Sequence, residues 1–308
     1  MKVIDLTPRG YCHGVKNALA IVKKVIKDQS YPRPIYVLGQ IVHNEKITKA
    51  FETYGVISLD QKGKTRLEMI EEINEGTVIF TAHGISDLVI EKAKEKGLIY
   101  LNATCRDVLK VHKAVKDKLN LGYQVIYIGH QNHPEPEAIL SISKDIIFIT
   151  DEKDALLLDS KIDKTIFVTN QTTLSIYDIE SILSILKTKY PNLLFDDDIC
   201  DATKVRQQAV MDQDEVDLML VVGDPMSSNS NKLASVGKKS KGIKSYLIRG
   251  VEDIKIDWLK QIDTISVTSG ASTPTIITEE VITYLKQFHK NDPKTWDHQS
   301  KTKISDIL

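Results

Sequence analysis

The 308-residue sequence predicts an α/β fold made of three similar units with mostly parallel sheets. Three observations predict it. Cys12, Cys105 and Cys200 lie 93 and 95 residues apart, each between a strand-like run and a helix-like one. Some 23 to 27 residues beyond each cysteine, an apolar strand ends in glycine. A third strand then follows in every unit, carrying a threonine and a further polar residue. Strands alternating with helical patterns imply parallel sheets with helices on their faces.

In the first unit, the run after Cys12 places Leu19, Ile21, Val22, Val25 and Ile26 at helical spacing. IYVLG then ends at Gly39, with His43 four residues on, and TVIFTAHG carries Thr81 and His83. In the second, Cys105 opens RDVLKVHKAVKDKL, VIYIG ends at Gly129 with His133 four residues on, and TIFVTNQTT carries Thr169 and Thr172. In the third, Cys200 opens DATKVRQQAV, LMLVVG ends at Gly223 with Ser227 four residues on, and TISVTSGAS carries Thr268 and Ser272. The expected boundaries are 13–101, 102–196 and 197–288, with the N-terminal strand in 1–12 joining the third unit. The polar tail 289–308 lies outside the repeat, and its sequence allows either disorder or packing back through Trp296, Ile304 and Ile307.

In parallel sheets, ligand groups gather beyond the carboxyl ends of the strands. All three cysteines and the six polar residues that follow them occupy such ends. Packing about a pseudo-threefold axis would bring the cysteines to the centre of a trefoil, with the polar residues lining a cavity. A lone free cysteine is usually an ordinary buried thiol, but three at equivalent positions are not explained that way. Three thiolates at helix N-termini suit an anionic iron–sulfur centre. A 4Fe-4S cube with three protein ligands leaves one iron open to substrate, as a catalytic metal site requires.

Composition narrows the alternatives. Lys plus Arg total 41 and Asp plus Glu 42, a net charge of −1 that argues against a nucleic-acid partner. The start, MKVIDLTPRG, lacks the apolar core of a signal peptide. No run reaches the roughly 18–20 apolar residues of a membrane helix. The expectation is a cytoplasmic protein with no membrane partner. Three cysteines without a CxxC pair fit neither a disulfide framework nor a zinc ribbon.

Nine segments in order, PRGYCHGV, LGQIVHN, FTAHGIS, NATC, GHQNHPEPE, TNQTTLS, ICDATKVRQQA, VVGDPMSSNSNKLA and VTSGASTP, span residues 1 to about 288. They resemble the 4-hydroxy-3-methylbut-2-enyl diphosphate reductase family, IspH or LytB. The resemblance implies a three-domain trefoil around an oxygen-sensitive 4Fe-4S cluster held by Cys12, Cys105 and Cys200. It implies reductive dehydroxylation of that allylic diphosphate to isopentenyl and dimethylallyl diphosphate, the last step of the methylerythritol phosphate route. It also implies an electron donor such as ferredoxin or flavodoxin, consistent with the lack of a GxGxxG fingerprint.

A diphosphate needs many donors. The residues suited to supply them are His43, His83 and His133 with Ser227, Ser228, Asn229 and Ser272, helped by Thr172. Ser227-Ser228-Asn229-Ser230-Asn231 stands at an expected helix start, where side chains and backbone N–H groups both favour anions. The other histidines, His13, His112, His130, His289 and His298, read as packing or surface residues. Glu135, between Pro134 and Pro136, is the expected proton donor, with Thr172 as relay and Thr173 beside it. Glu137 is the alternative, two residues on. His13, Arg106 and Asp201, each directly after a cysteine, depart from the family's commonest pattern.

Two other classes give different expectations. A quinolinate synthase-type enzyme also places one cysteine per repeat on an open cluster, but its ligand is a dicarboxylate. A cysteine hydrolase or binding module needs one thiol paired with a base, and leaves three equivalent thiols unexplained.

Overall fold

The computed structural model describes residues 1–308. Along the chain, β1 (Lys2–Asp5) leads to α1 (His13–Lys27). There follow β2 (Ile35–Leu38), α2 (Glu45–Glu52), β3 (Val56–Leu59), α3 (Arg66–Glu71), β4 (Thr77–Phe80), α4 (Asp87–Glu95) and β5 (Ile99–Asn102). Next come α5 (Arg106–Asn120), β6 (Gln124–Ile128), α6 (Pro134–Leu140), β7 (Ile147–Ile149), α7 (Glu152–Leu157), β8 (Ile166–Asn170), α8 (Ile176–Lys189) and β9 (Leu194–Phe195). The last stretch holds α9 (Asp201–Asp212), β10 (Leu218–Val222), α10 (Ser228–Ser235), β11 (Ser245–Ile248), α11 (Ile256–Leu259), β12 (Thr264–Ser269) and α12 (Thr275–Gln287).

The twelve strands form three four-stranded sheets, ordered β3-β2-β4-β5, β7-β6-β8-β9 and β11-β10-β12-β1. Every pairing is parallel. The three orders superimpose term by term, with β1 filling the fourth place of the last sheet by pairing with β12. The expected architecture of three similar, parallel α/β arrangements is therefore present. The strands β3, β7 and β11 were not expected; each has only one buried residue, so they lack the continuous buried run that marks the central strands.

The strands that gave the clearest sequence signal are buried on both faces. In β10, Leu218, Leu220 and Val222 pack into one core, and Met219 and Val221 into the other. In β6, Ile126 and Ile128 likewise face away from Val125 and Tyr127. Successive strand side chains point to opposite faces, so a strand covered on both sides reads as a continuous apolar run.

The chain packs as two compact units. The first comprises residues 1–16, 42–54 and 201–308, and it holds the sheet of β1, β10, β11 and β12. The second comprises 17–41 and 55–200, with the other two sheets. Residues 42–54, although they follow β2 in sequence, thus pack with the first unit.

The tail folds back onto the first unit. Trp296 packs against the core of β10, β12 and α12. The Glu280 carboxylate accepts from the Ser300 hydroxyl and the backbone N–H groups of Lys301 and Thr302. Ile307 is buried, and the turn at Ile304–Asp306 lies against α2. No helix is long and apolar enough to cross a membrane.

Candidate active site

The three cysteines occupy equivalent places. Each is a half-buried cysteine outside any disulfide, in the loop before a helix: Cys12 before α1, Cys105 before α5 and Cys200 before α9. Each donates its backbone N–H to a carbonyl in the loop after the neighbouring strand. Cys12 binds Ala271 at 3.2 Å, Cys105 binds Ala82 at 3.0 Å and Cys200 binds Thr172 at 3.0 Å. The glycines repeat as well: Gly39, Gly129 and Gly223 each donate to the last residue of the adjacent edge strand, Leu59, Ile149 and Ile248. The repeat read from the sequence is therefore a repeat of backbone geometry. A cysteine sulfur at each of three helix starts is the donor chemistry that an iron–sulfur cluster takes. His13, Arg106 and Asp201, which follow the cysteines, are solvent-exposed.

In the second unit the structure brings His83, His133, Glu135 and Thr172 into one group. The rings of His83 and His133 meet edge to face, with centroids 5.6 Å apart. His133 caps α6, its Nδ1 accepting from the Glu135 N–H at 3.2 Å. Pro134 and Pro136 stand in the first turn of α6, where a missing N–H costs nothing. His83 Nδ1 lies 3.3 Å from the Thr81 hydroxyl.

Glu135 is only 2% exposed. Its Oε1 accepts from the Thr172 N–H at 2.8 Å and from the Tyr127 hydroxyl at 3.4 Å; its Oε2 accepts from the Thr172 hydroxyl at 2.9 Å. Burial pushes its carboxyl up to about 7, with the Thr172 and Tyr127 hydrogen bonds offsetting part of that rise. Thr172 also accepts the Cys200 N–H through its carbonyl. One residue thus joins the buried acid to a cysteine.

Glu137 has a different place. It is part-exposed and receives both the Arg66 N–H, at 2.9 Å, and the Arg66 guanidinium. It thereby ties α6 to the start of α3, and the register that makes Glu135 the buried carboxyl follows from α6 itself.

In the first unit, His43, Ser227, Asn229 and Ser272 come together. Ser227 caps α10, accepting from the Ser230 N–H at 3.3 Å. The Ser272 hydroxyl donates to the His43 carbonyl at 3.0 Å and lies 3.4 Å from the Ser227 hydroxyl. Asn229 accepts the Ala271 N–H at 3.0 Å and donates to the Thr203 hydroxyl at 3.2 Å. Ala271 is the residue whose carbonyl receives the Cys12 N–H. Ser228 opens α10 and is half-buried.

The start of α10 fits closely under its neighbours. Ser230 is fully buried between Gly223 and Gly270. A Cβ on Gly223 would come within 2.2 Å of the Ser230 hydroxyl oxygen, and one on Gly270 within 2.0 Å. Only glycine allows this approach.

Several residues that build the site went unread in the sequence. Tyr127 sits inside the apolar run VIYI, although a buried tyrosine hydroxyl needs a partner and so signals one. Arg206, buried in α9, donates to the carbonyls of Gly10 and Ala202, both at 2.7 Å. Gln171 accepts the His130 N–H at 2.9 Å. Arg66 and Asp224 are the others.

A family model described as LytB protein matches residues 3–286. The chain belongs to the LytB family. It is 48% identical over 310 residues to a 4-hydroxy-3-methylbut-2-enyl diphosphate reductase of Bacillus cytotoxicus, covering 100% of this chain and 98% of that protein. A reductase of the same description from Geobacillus thermodenitrificans is 48% identical over 309 residues, covering 100% and 97%. Among solved structures, the Plasmodium falciparum E-1-hydroxy-2-methyl-but-2-enyl-4-diphosphate reductase matches with a TM-score of 0.86 and 32% identity, over 97% of this chain and 91% of that one. A second, titled (E)-4-hydroxy-3-methyl-but-2-enyl diphosphate reductase, the terminal enzyme of the non-mevalonate pathway, matches with a TM-score of 0.65 and 28% identity, over 94% and 100%. The fold of this chain thus has solved counterparts over nearly its whole length.

Proposed function

We propose that this LytB-family chain catalyses the reductive dehydroxylation of 4-hydroxy-3-methylbut-2-enyl diphosphate, the terminal reaction of the non-mevalonate route. Two electrons and two protons enter; the C–O bond breaks; water leaves with the hydroxyl oxygen; isopentenyl and dimethylallyl diphosphate result. Cys12, Cys105 and Cys200 would hold the 4Fe-4S cluster, which when bound supplies the electrons and a Lewis-acidic iron for the substrate oxygen.

One observation carries the residue assignments: the buried Glu135 is held by the N–H and hydroxyl of Thr172, whose carbonyl receives the Cys200 N–H. A departing hydroxyl needs an acid beside the metal centre, and a carboxyl that keeps its proton up to about 7 can serve near neutral pH. Glu135 is the proton donor in this reading, and the Thr172 hydroxyl positions and passes the proton. His43, His83, His133, Ser227, Ser228, Asn229 and Ser272 bind the diphosphate through side-chain donors, with the α10 N-terminus adding backbone N–H groups. The electrons come from a small acidic carrier of the ferredoxin or flavodoxin kind. The expected compartment is the cytoplasm, where thiols stay reduced.

The test is a set of anaerobically reconstituted variants. Replacing any one of the three cysteines by serine should lower iron content below that of the intact cube. Glu135→Gln should keep iron and substrate binding while slowing turnover by about 10²–10⁴-fold. Full iron in a cysteine variant removes that residue from the ligand set, and a near wild-type rate in Glu135→Gln removes the acid.

A further inference from the structure

We infer that Asp224 is a positioning residue that locks the His43 segment onto the serine turn, and that it acts on substrate affinity through His43. The inference rests on the proposed function, in which both segments grip the diphosphate.

The chain enters α2 from His43 through Asn44. The Asn44 side chain accepts the Ile47 N–H at 3.2 Å, satisfying one of the donors exposed at the helix start. The Glu45 N–H is satisfied from elsewhere in the first unit: Asp224 Oδ2 accepts it at 2.9 Å, across 179 residues of sequence. The second oxygen of the same carboxylate, Oδ1, accepts the Met226 N–H at 2.8 Å, and the Asp224 carbonyl accepts the Ser227 N–H at 2.9 Å. Asp224 therefore shapes the turn that delivers Ser227 and anchors the residue two beyond His43. It is 8% exposed, so water does not readily replace either bond.

Ser272 runs a second link beside the first, from its hydroxyl to the His43 carbonyl at 3.0 Å. That link is neutral and single. Asp224 offers two acceptor oxygens to two backbone donors, which an aspartate can do and an asparagine cannot. In Asp224→Asn one backbone N–H would face an NH2 group instead of an acceptor. An acidic residue at the start of α2 also suits the positive end of the helix. The substrate groups assigned to His43 and Ser227 thus owe their relative placement to a side chain that touches neither directly.

The experiment is a double-mutant cycle on the anaerobic, cluster-loaded enzyme, reading the dissociation constant for 4-hydroxy-3-methylbut-2-enyl diphosphate by calorimetry without reductant. Asp224→Ala should weaken binding about tenfold, the effect of losing a charge-assisted hydrogen bond, with iron content unchanged. In a His43→Ala background the same substitution should cost about threefold or less, because one of the two groups it positions is gone. Asp224→Asn should fall between wild type and Asp224→Ala; if the alanine variant does not fold, the same cycle is read with it. Unchanged affinity, or an effect as large without His43 as with it, overturns the inference and leaves the proposed function standing. Wild-type enzyme that carries iron yet does not bind the diphosphate overturns both.

Discussion

In the proposed reaction of this LytB-family chain, the chemistry turns on how one buried carboxyl is held. Glu135 has no cation beside it among its hydrogen-bond partners, which are the N–H and hydroxyl of Thr172 and the hydroxyl of Tyr127. Burial therefore dominates and keeps the proton on to about 7, against an ordinary 4.5. The sign of the stability effect follows. Between those values the folded protein retains a proton that the unfolded chain gives up, so the contribution to stability is complete below about 4.5 and is lost as pH rises through about 7. Wild-type protein should thus lose stability relative to Glu135→Gln as pH is raised from 4.5 to 7, by a few kcal/mol at most, on the order of 1.4 kcal/mol per pH unit. Denaturant unfolding of both proteins across that range checks it, and parallel pH curves would mean that Glu135 does not hold its proton.

The sequence already showed the residue types needed at this scale. Three cysteines, three strand-end histidines and the serine run stood at repeat positions, and a repeat is visible without any structure. Glu135 was separable from Glu137 only by three-dimensional facts: which one the Thr172 loop covers, and which one Arg66 reaches. Arg206 and Asp224 were not legible because each acts through a backbone group far away in sequence, and Tyr127 because its partner is the side chain of Glu135, which only the fold turns toward it. No local pattern marks such a partner.

At the scale of elements, α6 and α10 carry most of the site. Both are short helices opened by a side-chain cap that is also a proposed diphosphate ligand, His133 in one and Ser227 in the other. The two glycines over Ser230 make the start of α10 sensitive to a single methyl group. Gly270→Ala should destabilise the protein by about 1–3 kcal/mol, as overpacking of a buried contact does, and should weaken substrate binding with it. Unfolding free energy and substrate affinity measured on the same sample check both effects; an unchanged affinity would show that α10 tolerates displacement. Strands and helices with strong apolar periods were readable from the sequence, while β3, β7 and β11 were not, because each buries a single residue and shows no continuous buried run.

At the scale of the whole molecule, the repeat is closed by the N-terminal strand. β1 joins β12 and completes the last sheet with the same order as the other two. The sequence places 1–12 with the third unit as an expectation. It did not show that residues 42–54 leave the strands on either side of them and pack in the first unit with 201–308. Helical periodicity says which face of α2 is apolar but not which partner covers it. The tail belongs to the same packing, with its Ile304–Asp306 turn against α2. Ending the chain after Lys290 should speed amide exchange over Glu45–Glu52 and lower the unfolding temperature. Exchange in α2 identical to that of the full chain would show that the tail only covers surface.

The central claim is the reaction itself. Anaerobically reconstituted protein, supplied with reduced viologen dye and 4-hydroxy-3-methylbut-2-enyl diphosphate, should oxidise the dye in proportion to substrate. It should form both isopentenyl and dimethylallyl diphosphate. Iron-loaded protein that leaves the dye reduced in the presence of this substrate would contradict the account.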